Sequence, residues 1–536
     1  MTRTTGKAWR TGACLAGSLL LVAAAMAQGR AGPAAQEPAR AGKLVLWAHP
    51  PDVGRTPEEV EAFLARAARS GVDDILVLVK GMSGEIYWQS DRFQDSTAAA
   101  WKDADLLELL VPRARKHKIG IHAWLVDFVE GQRSAVYQKN LHWAQLNPAG
   151  ETTLSETLGV ERRPYPYVWM CPAQRPGYTD QWLLPMIEEI ARKYDVAGIH
   201  HDYVRYPGDV APDAYCFCDY CLANIPRHAM LQYEARASQR SRVRPVQERL
   251  EANWWSDPTV QPPEWDQRDR REKADFLLNG RTTPLGPPDM RYFFYDYRVH
   301  QIDRFVRESW DLVKKINPRL EISSAVFRNP VQSARYIGQQ WHGWNPWTDF
   351  YTPMSYRSHF AGDFETYLER LEETTARQME WIGRGRPLYA GIATTYLYRE
   401  EQEPIDNLRA AADRLHAAGA DGEERAKAAA AVREGHRVLD GTLRPVSADR
   451  SKEIAHLVEA ALAPGADRAT VESLDKALAE LRLRPPAGFY PPEKLTRAIA
   501  AAQRGNPDGI AIFSAGSLTR EDLWPALEAA SREWRR

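Results

Sequence analysis

The stretch AGIHHDYVRYP (Ala197–Pro207) begins as a buried strand and ends as a site. A helical segment closes in the KYDV turn before it, so the chain enters this run after a crossover. Side chains alternate along a strand, which puts His200 and Asp202 on one face and Ile199 and His201 on the other. Gly198 suits a narrow interior where another backbone approaches closely. Asp202 falls at the C-terminal end of the strand, and Arg205 and Tyr206 follow in the loop. An aspartate there is costly unless it is hydrogen-bonded or used. The plain structural reading is an Asp202–Arg205 ion pair that fixes the loop. The functional reading is a catalytic or substrate-binding carboxylate at the mouth of a barrel.

Working outward, the same strand, loop, helix cycle recurs. The apolar runs are KLVLWAH (Lys43–His49), DDILVLVKG (Asp73–Gly81), KIGIHAWLVDF (Lys118–Phe128), then the quoted stretch as the fourth. RLEISSAVF (Arg319–Phe327), TDFYTPMSY (Thr348–Tyr356), RPLYAGIA (Arg386–Ala393) and DGIAIFS (Asp508–Ser514) complete eight. Helical patterns lie between them; the first opens with a Thr56 cap and Pro57 in its first turn. Eight strands alternating with helices predict a (β/α)8 TIM barrel, because parallel strands need crossover connections. A doubly wound sheet fits less well, since no Gly-x-Gly-x-x-Gly follows the first strand.

Two insertions interrupt the cycle. Residues 208–290, after the fourth strand, are rich in tryptophan and proline and include Trp254, Trp255 and Trp265. They read as a cap over the mouth or a wall of its cleft. Residues 420–486, before the eighth strand, are rich in Ala, Glu and Arg and read as small helices with no chemistry. The barrel then occupies 43–419 through its seventh strand, and 487–536 completes it with a C-terminal helix. At the other end, Arg3, Lys7 and Arg10 precede the apolar run GACLAGSLLLVAAAMA, and Ala25-Met26-Ala27 fits the small-x-small cleavage rule. Residues 1–27 are therefore expected to be a signal peptide and 28–42 a disordered tether. The expectation is an exported protein, periplasmic or secreted. The rival is a retained anchor, with an apolar run slightly short for a span. Cys14 precedes most of that run, which argues against lipid attachment. No later segment is apolar enough to cross a bilayer.

The chain of 536 residues carries 70 Lys plus Arg against 71 Asp plus Glu, a formal net charge of -1. That balance offers no bulk attraction to nucleic acid. Its 18 Trp and 22 Tyr supply rings for cores or for sugar platforms.

YDVAGIHHDYVRYP resembles the fourth-strand signature of the glycoside-hydrolase-like 10 proteins, a bacterial barrel group. KGMSGEIYWQS (Lys80–Ser90) looks like the loop after that group's second strand. GIHAWLV (Gly120–Val126), WTDFYTPMSY (Trp347–Tyr356) and DGIAIFS look like its third, sixth and last strands. The resemblance covers about Leu44 to Ser514, apart from the second insertion. This chain departs from the pattern at Ala197, where an aspartate is usual, and at His201, where an apolar residue is common. A more distant similarity is to chitinase-type barrels. On that pattern Asp202 matches the last aspartate, but Val204 stands where the proton-donating glutamate belongs, which speaks against a simple chitinase mechanism. Met354 and Tyr356 match that class's sixth-strand Met-x-Tyr. The resemblance implies a glycoside hydrolase acting on a poly- or oligosaccharide, and the N-terminal run implies its export.

Glycoside hydrolysis uses two carboxyl groups across the scissile bond. Asp202 is the first candidate. Its partner is sought in Glu85, in the Gly-flanked loop after the second strand, or in Asp127, just past the third. Asp349 and Glu321 lie near strand starts and are expected to face the bottom or the interior. His122, Trp124, His200, Arg205, Tyr206, Tyr356 and Trp47 are candidate substrate contacts. A histidine such as His122 is as often a satisfied core residue.

The mature chain keeps Cys171, Cys216, Cys218 and Cys221. They suit a structural zinc site or, in an oxidising compartment, two disulfides. Either solution pins the Asp202 loop, and neither leaves an open position for catalysis. His142 and His359 lack metal-motif spacing. No cofactor is required for the expected reaction. Two rival functions remain: a non-catalytic carbohydrate-binding barrel, motivated by Val204, and a metal-dependent deacetylase, for which His200-His201-Asp202 is a weak start.

Overall fold

The computed structural model describes residues 42–155, 167–208, 210–243, 265–281, 287–383, 385–418, 422–443, 448–486 and 488–535. The expected signal peptide, nearly all of the tether, and Trp254 and Trp255 lie outside the described residues.

Eight strands close into a barrel: β1 (Lys43–Ala48), β2 (Asp74–Lys80), β3 (Gly120–Val126), β4 (Gly198–Asp202), β5 (Glu321–Phe327), β6 (Phe350–Met354), β7 (Tyr389–Ala393) and β8 (Gly509–Phe513). Each is parallel to its neighbours, in chain order, and β8 pairs with β1. This is the (β/α)8 architecture read from the sequence. Strands buried on both faces need continuous apolar runs, and all seven residues of β2 are buried. A short antiparallel ribbon, Val129–Gly131 with Tyr167–Trp169, rises beside β3.

The helices form where the sequence caps them. In α1 (Pro57–Arg69) the Thr56 hydroxyl accepts from the Glu59 amide, and the Glu59 carboxylate accepts from the Thr56 amide. Asp105 caps α2 (Leu106–Lys116) by accepting from Leu107 and Glu108. The amphipathic α3 (Leu184–Lys193) turns Met186, Ile187, Ile190 and Ala191 inward. After β4 the chain runs through α4 (Asp219–Val243) and a short helix, Arg270–Asn279, before α5 (Met290–Ile316) returns it to the wall. Trp265 is buried edge-on to Phe276, so this end of the cap is packed. Between β7 and β8, α6 (Arg399–Ala417) packs on α7 (Glu423–Leu443) and α9 (Arg468–Leu483), with α8 (Ala448–Leu462) joined to both. The helical excursion therefore begins at Arg399, ahead of position 420. The barrel face there is covered by α10 (Glu493–Arg504), which packs against β7 and β8.

Gly198 shows why no side chain fits at the foot of β4. A Cβ there would lie 2.3 Å from the Glu321 carbonyl oxygen and 2.6 Å from His122 Nδ1. The register places Gly198 opposite His122 and Asp202 opposite Val126, so Asp202 stands at the open end of the wall.

Candidate active site

Asp202 is 8% exposed and faces into the mouth. Trp124 Nε1 donates to its Oδ2 at 3.2 Å, and the backbone N–H of Tyr203 donates to its Oδ1 at 2.7 Å. Tyr203 has φ 52°, a left-handed conformation uncommon for a residue with a side chain. Such turns cluster at functional sites, where the surroundings over-determine them. Burial pushes the Asp202 carboxyl from its ordinary 3.8 up to about 6, against the pull of the Arg205 charge and the Tyr203 amide. The nearby Asp127 adds to the rise, while the Trp124 indole opposes it.

Arg205 forms no contact ion pair with Asp202. Its guanidinium lies among three rings, 4.5 Å from Tyr203, 4.9 Å from Trp169 and 5.0 Å from Phe327. Cation–π contact replaces the salt bridge, so the positive charge acts on Asp202 at longer range. Tyr356 stacks on Phe513 at 5.9 Å and 29°, and Phe513 also meets Trp47, Trp124 and His49 edge-on. The resulting mouth is a carboxylate ringed by aromatic faces.

One layer down, Trp47 Nε1 donates to His200 Nε2 at 3.3 Å, and His200 Nδ1 lies 2.8 Å from Ser323 Oγ. Nε2 is thus the acceptor, which leaves the proton on Nδ1. Burial lowers the His200 pKa well below its usual value, so the ring stays neutral. His200 and Trp47 form the floor beneath Asp202.

His122 sits lower still, four residues before the end of the β3 segment paired with β4, or about 13 Å along the strand from Asp202. It lies 3.7 Å from carboxylate oxygens of both Asp74 and Glu321. As a substrate contact from the mouth it is misplaced: it belongs to the closed bottom of the barrel. Lys43 Nζ also reaches Asp74 there, at 2.8 Å. Burial works against the Asp74 charge, but His122 and Lys43 outweigh it and hold the carboxyl at about 2. A depressed carboxyl stabilises the fold above its ordinary value of 3.8 and loses that contribution as pH falls toward 2. The expected contribution is about 2 kcal/mol. Melting of wild type and Asp74→Asn between pH 5 and pH 2 should show the gap between them closing as the solution is acidified. A gap that stays constant would remove Asp74 from the account.

The other expected residues divide. Tyr206 is fully buried with Arg298 4.4 Å above its ring, beside the cysteines and away from the mouth. The turn after Asp202, with Tyr203 at φ 52°, breaks the strand alternation that would have kept Tyr206 on the Asp202 face. Glu85 accepts from the Tyr87 hydroxyl at 2.8 Å and folds over Gly81, where a Cβ would lie 2.4 Å from its Oε1. Its Oε2 is buried without a hydrogen-bond partner, and no hydrogen bond joins it to Asp202.

Asp127 points behind the wall. Its Oδ2 lies 3.0 Å from His201 Nδ1, and His201 Nε2 lies 2.9 Å from Ser309 Oγ. Ser309, His201 and Asp127 thus copy the order of a hydrolase triad, but all three are 0% exposed. With no path for a substrate, they pin α5 to β4. Burial raises the Asp127 carboxyl, against the pull of His201 and Lys80. Because His201 faces α5, the His200-His201-Asp202 run does not converge on a metal.

The residues that the sequence reading missed are His49, Trp169, Tyr203, Phe327 and Phe513. His49, Phe327 and Phe513 carry a legible signal, since each stands at or just past the C-terminal end of a strand. Trp169 reaches the mouth from the ribbon, which spacing does not reveal.

Behind β2 and β3, Lys80 and Glu130 form an ion pair at 3.2 Å with both side chains 0% exposed. Lys80 Nζ also donates to the carbonyls of Val126 and Val129, and the Tyr178 hydroxyl donates to Glu130 Oε1 at 2.6 Å. The cysteines converge as well. Cys171, Cys216, Cys218 and Cys221 are all buried and unbridged, with one ligand atom of each lying within 4.8 Å of all the others. Among the described residues, no helix is long and apolar enough to cross a membrane.

Comparison with known proteins finds relatives at low identity. An S-layer-related protein from Niallia circulans is 23% identical over 405 residues, which are 68% of this chain and 22% of that protein. The chain thus spans about a fifth of the length of this relative. The PgaB (BpsB) glycoside hydrolase domain from Bordetella bronchiseptica is 13% identical, with a TM-score of 0.42 over 66% of this chain and 84% of that one. Alpha-L-fucosidase isoenzyme 2 from Paenibacillus thiaminolyticus is 15% identical, with a TM-score of 0.37 over 83% of this chain and 49% of that one. A family model matches residues 52–379, well over half of the chain, and its family is DUF4015, described as "Putative glycosyl hydrolase domain". The glycoside-hydrolase-like 10 resemblance is corrected accordingly, and holds at the coarser level of a glycoside-hydrolase-like barrel. On that match the chain belongs to the DUF4015 family of glycosyl-hydrolase-like barrels.

Proposed function

We propose that this protein is a glycoside hydrolase that cleaves a poly- or oligosaccharide at the mouth formed around Asp202. The observation that carries this reading is the state of Asp202. It is a nearly buried carboxyl at a strand end, held by Trp124 and Tyr203 and raised to about 6, with aromatic faces around it. A carboxylate so placed stabilises an oxocarbenium-like transition state as nucleophile or as base, and the rings offer stacking faces for sugars. The second carboxyl group is Glu85, directly after Gly84 on the loop that opens with Gly81. Swinging it off Tyr87 brings a longer acid arm toward the mouth. Asp127, sealed against His201, serves as the electrostatic neighbour that helps raise Asp202.

A non-catalytic sugar-binding barrel is the second reading, favoured by Val204 standing where chitinase-type barrels carry their proton-donating glutamate and by Glu85 being held against Tyr87. The two are separated by incubating the protein with a panel of bacterial and plant polysaccharides and measuring reducing ends. Wild type should release sugar from one of them. Glu85→Gln should fall by roughly 10²–10⁴, and Asp127→Asn should fall far less. Binding without release, unchanged in all variants, would favour the second reading. The N-terminal run motivates export, with a mature chain beginning near Gln28. N-terminal sequencing of material from the producing cell tests it, and an intact Met1 would overturn it.

A further inference from the structure

We propose that Cys171, Cys216, Cys218 and Cys221 bind a single zinc ion as four thiolates, and that this ion ties together the two loops that build the Asp202 mouth.

The sulfur geometry points to a metal and away from bridges. Cys171 Sγ lies 3.7 Å from Cys221 Sγ and 3.7 Å from Cys218 Sγ. A disulfide needs about 2.05 Å. Four sulfurs about 2.3 Å from a central zinc form a tetrahedron with edges of about 3.8 Å. Cysteine pairs closing as two disulfides would leave two separate S–S units, whereas here Cys171 is equally close to two partners. Cys218, just before α4, and Cys221, in its first turn, have two residues between them, the C-x2-C spacing that lets one turn present two sulfurs to one ion.

The charge balance is workable. Binding of Zn²⁺ sends the four thiol protons to solvent and leaves a site of net charge -2. Arg298 supplies a buried cation nearby. Its guanidinium donates to the carbonyls of Pro212 and Tyr336 and covers the Tyr206 ring that faces the cysteines. All four ligands are protein sulfurs, so no coordination position remains for water, and the ion is structural.

Its place in the fold gives it a task. Cys171 ends the ribbon two residues after Trp169, whose ring supports Arg205. The other three cysteines follow the Asp202 loop after β4. The ion thereby locks the β3–β4 excursion to the β4–β5 excursion directly behind Arg205 and Tyr206. That second part rests on the placement of the active site above; metal binding does not, and its test needs no activity.

The full chain, expressed in zinc-supplemented medium and purified without chelator, should contain close to one zinc per chain by elemental analysis. A mercurial titrant should release it into a zinc-sensitive dye in step with four thiols. Cobalt exchanged into the site should show the absorption of a tetrahedral four-thiolate complex. Cys218→Ser/Cys221→Ser should lower bound zinc at least tenfold. Should that variant fail to fold, the wild-type metal content and cobalt spectrum decide alone. Two disulfides in the intact mass would overturn the proposal. So would four free thiols that take up neither zinc nor cobalt, or stoichiometric iron in place of zinc.

Discussion

Asp202→Asn should abolish most turnover and at the same time make the protein more stable. The substitution keeps the shape of the side chain and removes its charge. If the carboxylate carries negative charge through glycoside cleavage, turnover should fall by roughly 10²–10⁴ while substrate binding weakens far less. The stability change follows from the same burial. A raised carboxyl binds its proton more tightly in the folded chain than in the unfolded one. Wild type therefore loses stability as pH rises from the ordinary 3.8 through about 6. Above that window the loss is complete and amounts to about 3 kcal/mol. Asparagine does not ionise and escapes it. Melting at pH 7 should show the variant above wild type, and the two should converge toward pH 4. Its amide still accepts from Trp124 or from the Tyr203 amide, so the mouth keeps its shape. A less stable variant at pH 7, or unchanged turnover with normal folding, would refute the assignment of Asp202.

Lys80→Met should be among the most damaging single changes outside the mouth. It removes the only cation among the described residues that pairs with Glu130, at a place where both side chains are 0% exposed. Among the described residues, Glu130 then keeps only the Tyr178 hydroxyl to offset its desolvation. Breaking a buried pair in this way costs roughly 3–5 kcal/mol, and the carbonyls of Val126 and Val129 lose their donor besides. The double variant Lys80→Met/Glu130→Gln should be less damaged than the single one, because no unpaired charge remains. Urea unfolding of the three proteins measures this directly. A single variant within about 1 kcal/mol of wild type would show that Glu130 finds another partner. The change also bears on the mouth. The Glu85 loop rests on this pair, since a Cβ at Gly84 would lie 1.9 Å from Glu130 Oε2. Loosening Glu130 removes the support under the loop that aims Glu85, so activity should fall further than melting alone explains.

The sequence determined the architecture, the order of the strands and the position of Asp202. Each of these follows from local pattern. An apolar run of strand length with a glycine at its foot, a period-two alternation and a polar residue at its end suffice to place His200 and Asp202 inside a barrel. Thr56-Pro57 and Asp105 likewise announce their helices, because a cap is made by neighbours in sequence. What the tertiary structure alone decided is which distant groups meet. Asp127 and Asp202 each lie at the C-terminal edge of adjacent strands, yet one is turned behind the wall to His201 and Ser309 and the other opens to the mouth. The helix packed behind β4 decides that, and no spacing reports it. Arg205 had a carboxylate three residues away and found three aromatic rings instead, one of them from a ribbon 36 positions earlier in the chain. His122 shares a strand face with Trp124 but lies a layer too deep. Four cysteines were legible as a set, while their convergence on a single point required the two excursions to fold against each other. Local propensity is written residue by residue; desolvation and partnership belong to contacts between segments far apart, and those set the charge, reach and accessibility of each group in the site.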